Sequence, residues 1–264
     1  MCRLLGYVAR EPVTPAHLLG GTFAAFVEVS HLHGDGWGLA WYEGHNRLQE
    51  ARAPEPAYTS PTFSKLLETI DTDALIGHVR WATPGFALCM ENTHPFTRKQ
   101  IAFAHNGAIA PNEAIEELIA PHLRESIIGD TDSERYFLAL LSAFEKAAPV
   151  ETLCALLNTL RQHLQSTSLN CLLLTPETLY AVCDFDPHAP LARKEPDYFH
   201  LQYRITQDAV IIGSTGLNHG HGWKTLKNGQ MLLVSRGTLE VTIVDVAQNT
   251  RKSLEEQYLS QLQR

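Results

Sequence analysis

Short apolar runs bounded by glycine, proline and asparagine open this chain, amphipathic helical stretches fill its middle, and short apolar runs return toward its end. Residues 2–8 alternate loosely and read as a first strand, and residues 15–28 read as helix with Gly20-Gly21 as an interruption. The run Gly36-Trp37-Gly38-Leu39-Ala40-Trp41-Tyr42 reads as a strand whose two glycines mark a bulge or a close backbone approach. Asn46 turns the chain into a strand near 47–52, and Ser60-Pro61 supplies the N-cap and first position of a helix over 61–70. Residues 74–81 predict a strand, 83–95 a loop containing Pro and Gly, and 100–106 a strand broken at Asn106-Gly107. Helices follow near 112–119, 131–146 and 150–165. Strands return at 169–174, 178–184, 199–204, 209–213, 230–235 and 238–244, with a terminal helix over 251–262. Pro187, Pro190 and Pro196 puncture an irregular segment between two of these strands.

Strands, then helices, then strands again is not the βαβ alternation of a doubly wound sheet. The order predicts a layered α+β architecture with mostly antiparallel sheets. With 264 residues and no repeat, low-complexity tract or linker, the chain reads as a single domain over 1–264. A formal net charge of −8 without any Lys/Arg-rich run argues against nucleic-acid and anionic-membrane partners. No apolar stretch approaches the roughly 18 residues needed to span a bilayer. The N-terminus lacks a secretory h-region and cleavage site, so a cytoplasmic location is expected. Five cysteines are present, Cys2, Cys89, Cys154, Cys171 and Cys183, with no Cys-x-x-Cys pair, which disfavours a disulfide framework. Cys154, Cys171 and Cys183 lie in apolar runs and read as buried thiols.

Cys2 stands apart by position. Loss of Met1 would place a thiol and a free α-amine on one Cα, a nucleophile with its own proton acceptor, the amine having an ordinary pKa of about 7.7–8.0. The alternative is a small apolar residue in a first strand. Four further segments carry more chemistry than packing demands. Arg80, in Gly77-His78-Val79-Arg80-Trp81-Ala82-Thr83, is either surface decoration or a guanidinium fork for a carboxylate. Asn106-Gly107 is either a strand-ending turn or an oxyanion hole built from an amide and a backbone N–H. Gly129-Asp130-Thr131-Asp132-Ser133-Glu134 reads as a helix N-terminus in which Thr131 and Glu134 have capping-box spacing, leaving Asp132 for a substrate ammonium. His31-Leu32-His33-Gly34-Asp35 and His219-Gly220-His221 invite a metal reading, but neither supplies enough converging ligands, and no metal is expected. Neither Gly cluster has phosphate-loop spacing. A carboxylate reader, an ammonium reader, a thiol and an oxyanion hole together describe a reader of a free amino acid's head that attacks a side-chain amide.

The ordered segments Met1-Cys2-Arg3, Asp35-Gly36-Trp37-Gly38, His78-Val79-Arg80-Trp81-Ala82-Thr83, Asn92-Thr93-His94-Pro95-Phe96, Ala104-His105-Asn106-Gly107 and Thr131-Asp132-Ser133-Glu134 resemble the class II glutamine amidotransferases of the N-terminal nucleophile (Ntn) hydrolase superfamily. The pattern over residues 1–145 is similar to the stand-alone YafJ-type branch in particular. The resemblance implies a four-layer αββα sandwich with two mainly antiparallel sheets. It implies Cys2 as nucleophile with its α-amine as base, Asn106 and Gly107 as oxyanion hole, Arg80 and Thr83 on the α-carboxylate, and Asp132 on the α-ammonium. His78 and His94 are expected to organise the site. The implied reaction is hydrolysis of the γ-amide of glutamine or of a γ-glutamyl conjugate, without a cofactor. The alternatives are a glutaminase subunit feeding ammonia to a synthase partner, and an inactive amino-acid-binding protein; a homo-oligomer partner is also open. Two positions depart from the family pattern: Pro84, where several synthase-linked members have His, and Ser214-Thr215-Gly216-Leu217, where stand-alone relatives often have Ser-Glu-Pro-Leu.

Overall fold

The computed structural model describes residues 2–44, 46–83, 85–146 and 148–247; the helix predicted over 251–262 and the departure at Pro84 lie outside them. The chain opens with β1 (Arg3–Val13), α1 (Pro15–Leu19) and α2 (Gly21–Val29), then β2 (Gly36–Glu43), β3 (Arg47–Ala53), α3 (Pro61–Thr69) and β4 (Thr72–Arg80). Next come β5 (Phe96–Arg98), β6 (Ile101–Asn106) and β7 (Ile109–Ala110). Four helices follow: α4 (Asn112–Glu116), α5 (Pro121–Arg124), α6 (Asp132–Phe144) and α7 (Pro149–His163). The last part holds β8 (Gln165–Ser166), β9 (Asn170–Leu174), β10 (Thr178–Cys183), α8 (Pro190–Lys194), β11 (Leu201–Ile205), β12 (Ala209–Ser214), β13 (Trp223–Thr225), β14 (Gln230–Ser235) and β15 (Val241–Asp245).

Two antiparallel sheets form, in the orders β13-β11-β12-β1-β4-β2-β3 and β15-β14-β10-β9-β6-β5, beside a two-stranded ribbon of β7 and β8. Side chains alternate across each strand, so both faces of both sheets must be covered. On β1, Leu4 and Val8 enter the core between the sheets, where they meet Ile76, Ala104, Leu172 and Ile212. Leu5 and Tyr7 point the other way and pack with Phe26 of α2 and Phe63 and Leu67 of α3. Phe103 and Leu173 on the second sheet likewise face Tyr136, Phe137 and Leu157 of α6 and α7. The result is the four-layer αββα sandwich that the resemblance implies. Each fully buried Leu, Phe or Tyr contributes about 1.5–3 kcal/mol relative to exposure, which makes the two-residue period the main determinant of the layers.

Local departures from the pattern have local causes. The helix predicted over 15–28 divides at Gly20, whose φ of 49° and ψ of −118° suit a residue without Cβ. Gly38 is the close approach expected of a strand glycine: a Cβ there would lie 2.1 Å from the His94 carbonyl oxygen. Ser60 accepts from the Phe63 N–H as the N-cap of α3. Within the segment read as irregular, Pro190 opens the five-residue helix α8, its ring tolerated at a position that needs no N–H. The elements missed in sequence are short: β5, β7, β8 and β13 have two or three residues, and α5 and α8 four and five, too few to show a period.

Candidate active site

Antiparallel pairing of β1 with β4 sets Arg3 opposite Val79, so Cys2 and Arg80 come together where the two strands end. Cys2 shares the parity of Leu4 and Val8, and Arg80 that of Ile76 and His78, which directs both toward the space between the sheets. The Cys2 thiol lies 3.7 Å from the Trp81 carbonyl oxygen. Burial pushes this thiol up from its ordinary range, opposed in part by the Arg80 charge and reinforced by Asp132. The group is therefore a thiol near neutral pH and needs a base to become a nucleophile.

The segment leaving β4 is held from two directions. Asp35 donates its backbone N–H to the Arg80 carbonyl (3.1 Å), and its Oδ2 accepts from the Ala82 N–H (2.8 Å). The aspartate that the sequence offered as part of a metal motif thus fixes the backbone beside Cys2. Both terminal nitrogens of Arg80 donate to the Ala87 carbonyl, at 3.2 and 3.3 Å. This uses one N–H from each and leaves the outer edge of the guanidinium uncommitted to that carbonyl. Thr83 sits exposed on the rim.

The opposite wall comes from the end of β6 and the start of α6. His105, on the helix-facing side of β6, has its Nδ1 2.9 Å from the Ser133 hydroxyl and its Nε2 3.0 Å from the Ser168 carbonyl. A carbonyl can only accept, so Nε2 carries the proton and Nδ1 accepts from Ser133. Burial lowers the His105 pKa, in keeping with a neutral ring whose two nitrogens are both engaged. Thr131 caps α6 by accepting from the Glu134 N–H at 3.2 Å. The reciprocal half of the predicted capping box is replaced: Glu134 accepts from Ile128 (3.0 Å) and Gly129 (2.8 Å) and fixes the preceding turn. Asp132, first residue of α6, accepts from the Ile109 N–H at 2.7 Å. Burial raises its carboxyl pKa, while His105 and the Ile109 N–H oppose that shift.

One small pocket is lined by Cys2, Arg80, Thr83, Gly107 and Asp132, with Trp81, Asn92, His94 and His105 among its other walls. Five of the six site residues expected from sequence therefore meet. The sixth, Asn106, is buried beside Gly107 and does not line the pocket surface; both atoms of its amide lack a hydrogen-bond partner. Gly107 must be glycine here, because a Cβ would stand 1.9 Å from the Ser168 carbonyl oxygen. His78 and His94 lie with ring centroids 4.3 Å apart, buried, with all four ring nitrogens unpartnered. Burial, then Arg80, pushes His78 down to about 3, and burial, then His78, lowers His94 well below its ordinary range. His105, Ser133 and Asp35 stand inside the segments that carry the resemblance, but reasoning from sequence gave none of them the role found here, because each role is a contact with a distant part of the chain.

Among the described residues no group of three or more His, Cys, Asp or Glu is placed to hold a metal ion. His31 instead stacks on Tyr58, and His33 meets Trp81 edge-on. A larger cleft of about 840 Å³, lined by Arg161, Asp184 and His188 among others, contains none of the expected site residues. No helix among the described residues is long and apolar enough to cross a membrane.

The family model of class II glutamine amidotransferases matches residues 1–258. YafJ of Escherichia coli K12 is 30% identical over 229 residues, covering 80% of this chain and 83% of YafJ. DUG3 of Saccharomyces cerevisiae is 30% identical over 166 residues, 55% of this chain, and the match spans only 46% of DUG3. Among solved structures, a glutamine aminotransferase class-II domain protein from Silicibacter pomeroyi superposes with a TM-score of 0.67 at 22% identity, covering 92% of this chain and 99% of its own. The B. subtilis glutamine phosphoribosylpyrophosphate amidotransferase gives 0.63 at 17% identity, covering 93% of this chain and 49% of that enzyme. At these identities the two structures share the fold.

Proposed function

Because the chain belongs to the class II glutamine amidotransferases, we propose that it hydrolyses the γ-amide of glutamine or of a γ-glutamyl conjugate through a thioester on Cys2. The observation that carries this reading is the convergence of a thiol, a buried guanidinium and a buried carboxylate in one pocket with Gly107. The outer edge of Arg80, with Thr83 on the rim, receives the α-carboxylate, and Asp132 receives the α-ammonium. The γ-carbonyl carbon is then held against Cys2.

Removal of Met1 frees the Cys2 α-amine, which takes the thiol proton. Sulfur attacks the γ-carbon, and the oxyanion is held by the Asn106 amide and the Gly107 N–H. The C–N bond breaks as the leaving nitrogen takes a proton, giving ammonia or an amine. Water then adds to the thioester, its second tetrahedral state is held by the same donors, and glutamate departs with the thiol restored.

The second reading is ammonia delivery to a synthase partner. Side-by-side assays of glutamate release from L-glutamine and from γ-glutamyl peptides or amines separate the two. Hydrolysis by the isolated protein favours the first, and release only with an added synthase favours the second. Cys2→Ala must abolish turnover, and intact mass must show a chain lacking Met1; full activity in Cys2→Ala overturns the mechanism.

A further inference from the structure

One segment singled out in the sequence has no part in this mechanism: Asn92, at the head of Asn92-Thr93-His94-Pro95-Phe96. It is fully buried, and both ends of its amide are used. Nδ2 donates at 3.2 Å to the Ala87 carbonyl, the same oxygen that takes both terminal nitrogens of Arg80. Oδ1 accepts at 2.8 Å from the Asp130 N–H, in the turn that leads into Asp132. A single planar amide thus bridges the loop that holds the cationic reader and the turn that carries the anionic reader.

The fit around this bridge is close. A Cβ on Gly129 would lie 2.5 Å from Asn92 Oδ1 and 2.7 Å from the Glu91 carbonyl oxygen, so the turn can approach Asn92 only because residue 129 is glycine. From its other side the turn is gripped by Glu134 at the Ile128 and Gly129 N–H groups and by Arg135 at the Gly129 and Thr131 carbonyls, 3.1 Å each. The turn is held from both sides, and Asn92 is its link to the Arg80 loop.

We infer that Asn92 is a positioning residue that sets the spacing between Arg80 and Asp132, and thereby selects substrates carrying both an α-carboxylate and an α-ammonium. This rests on the reading of the pocket given above. An amide suits the task because it donates at one end and accepts at the other; a carboxylate cannot donate to Ala87, and a hydrophobe would leave buried polar groups unpaired on both loops.

The test compares L-glutamine with 4-carbamoylbutanoate, which keeps the carboxylate and the amide but lacks the ammonium. In Asn92→Ala the KM for L-glutamine should rise about tenfold or more with kcat held within about threefold, while the KM for 4-carbamoylbutanoate moves by less than about threefold. Gly129→Ala, which keeps Asn92 but forces the turn away from its Oδ1, should give the same split. Equal effects on both substrates, an unchanged KM, or a fall in kcat alone would overturn the inference, as would failure of both variants to fold. If the unsubstituted protein releases no glutamate from L-glutamine, the proposed function fails first. Calorimetry with L-glutamate then tests Asn92, whose alanine variant must bind about tenfold more weakly.

Discussion

His105 and Ser133 face each other at 2.9 Å across the join between β6 and α6, and the proton on the far side of the imidazole is committed to Ser168. The ring therefore acts as a fixed strut between the strand that ends in Asn106 and the helix that begins with Asp132. It also packs edge-on against Tyr136 at 5.3 Å, so both its polar rim and its face are committed.

Replacing His105 with Phe keeps the ring contact and strands the Ser133 hydroxyl and the Ser168 carbonyl. Each buried group left unpaired costs about 1–3 kcal/mol. Thermal unfolding should show a loss of that order, with a higher KM for the amino-acid substrate because Asp132 is no longer braced. An unchanged melting temperature would contradict the strut.

Asn106 should behave in the opposite way. Its amide is buried without a partner, so truncation to Ala removes two unsatisfied atoms instead of breaking bonds. Turnover should fall by about 10²–10³, the usual effect of removing one oxyanion donor, with a melting temperature no lower than that of the unsubstituted protein. Paired kinetics and calorimetry check both halves. Lost stability with intact turnover would remove Asn106 from the oxyanion hole.

Arg80→Lys retains the charge but not the planar fork that meets Ala87 through two nitrogens. A point charge on a flexible stem cannot hold that carbonyl and a substrate carboxylate in the same way. The kcat/KM for L-glutamine should drop by about 10–100-fold, mainly through KM. Steady-state kinetics over a range of glutamine concentrations would reveal a kcat effect instead, if Arg80 served the chemistry.

Stability should decline with acid below about pH 6.5, the unfolded value for histidine. His33, His78, His94 and His105 are all held neutral by burial, with His33 and His78 pushed down to about 3. Below the unfolded pKa the unfolded chain binds protons that the folded chain refuses. Each such histidine then removes up to about 1.4 kcal/mol per pH unit until its folded pKa is reached. Asp132 works in the other direction: its raised carboxyl pKa favours the folded state at low pH, and that contribution is lost as pH rises through the folded value. Burial raises the Asp184 carboxyl in the same sense, and four histidines outweigh two carboxylates, so urea midpoints should fall between pH 7 and 5. His78→Leu should flatten the slope; an unchanged slope would assign the acid sensitivity elsewhere.

The sequence alone determined the order of the longer strands and helices and the residue types of the site, because both follow from local rules. A two-residue apolar period puts Leu4 and Val8 on one face of β1 and Leu5 and Tyr7 on the other, wherever the sheet lies. Cys2, Arg80, Asn106-Gly107 and Asp132 were likewise visible as groups with more chemistry than packing requires. Only the tertiary structure decided which neutral-looking residues hold them. Asp35 grips the backbone at Ala82, His105 joins β6 to α6, and Glu134 leaves its capping box for the turn at Ile128-Gly129. Asn92 spans two loops nearly forty residues apart in the chain. Apart from the Glu134 bonds, which stay within its own turn, these roles come from hydrogen bonds between distant segments, and no local period or propensity encodes them. Antiparallel register and the closure of two sheets over one core bring those partners within 3 Å.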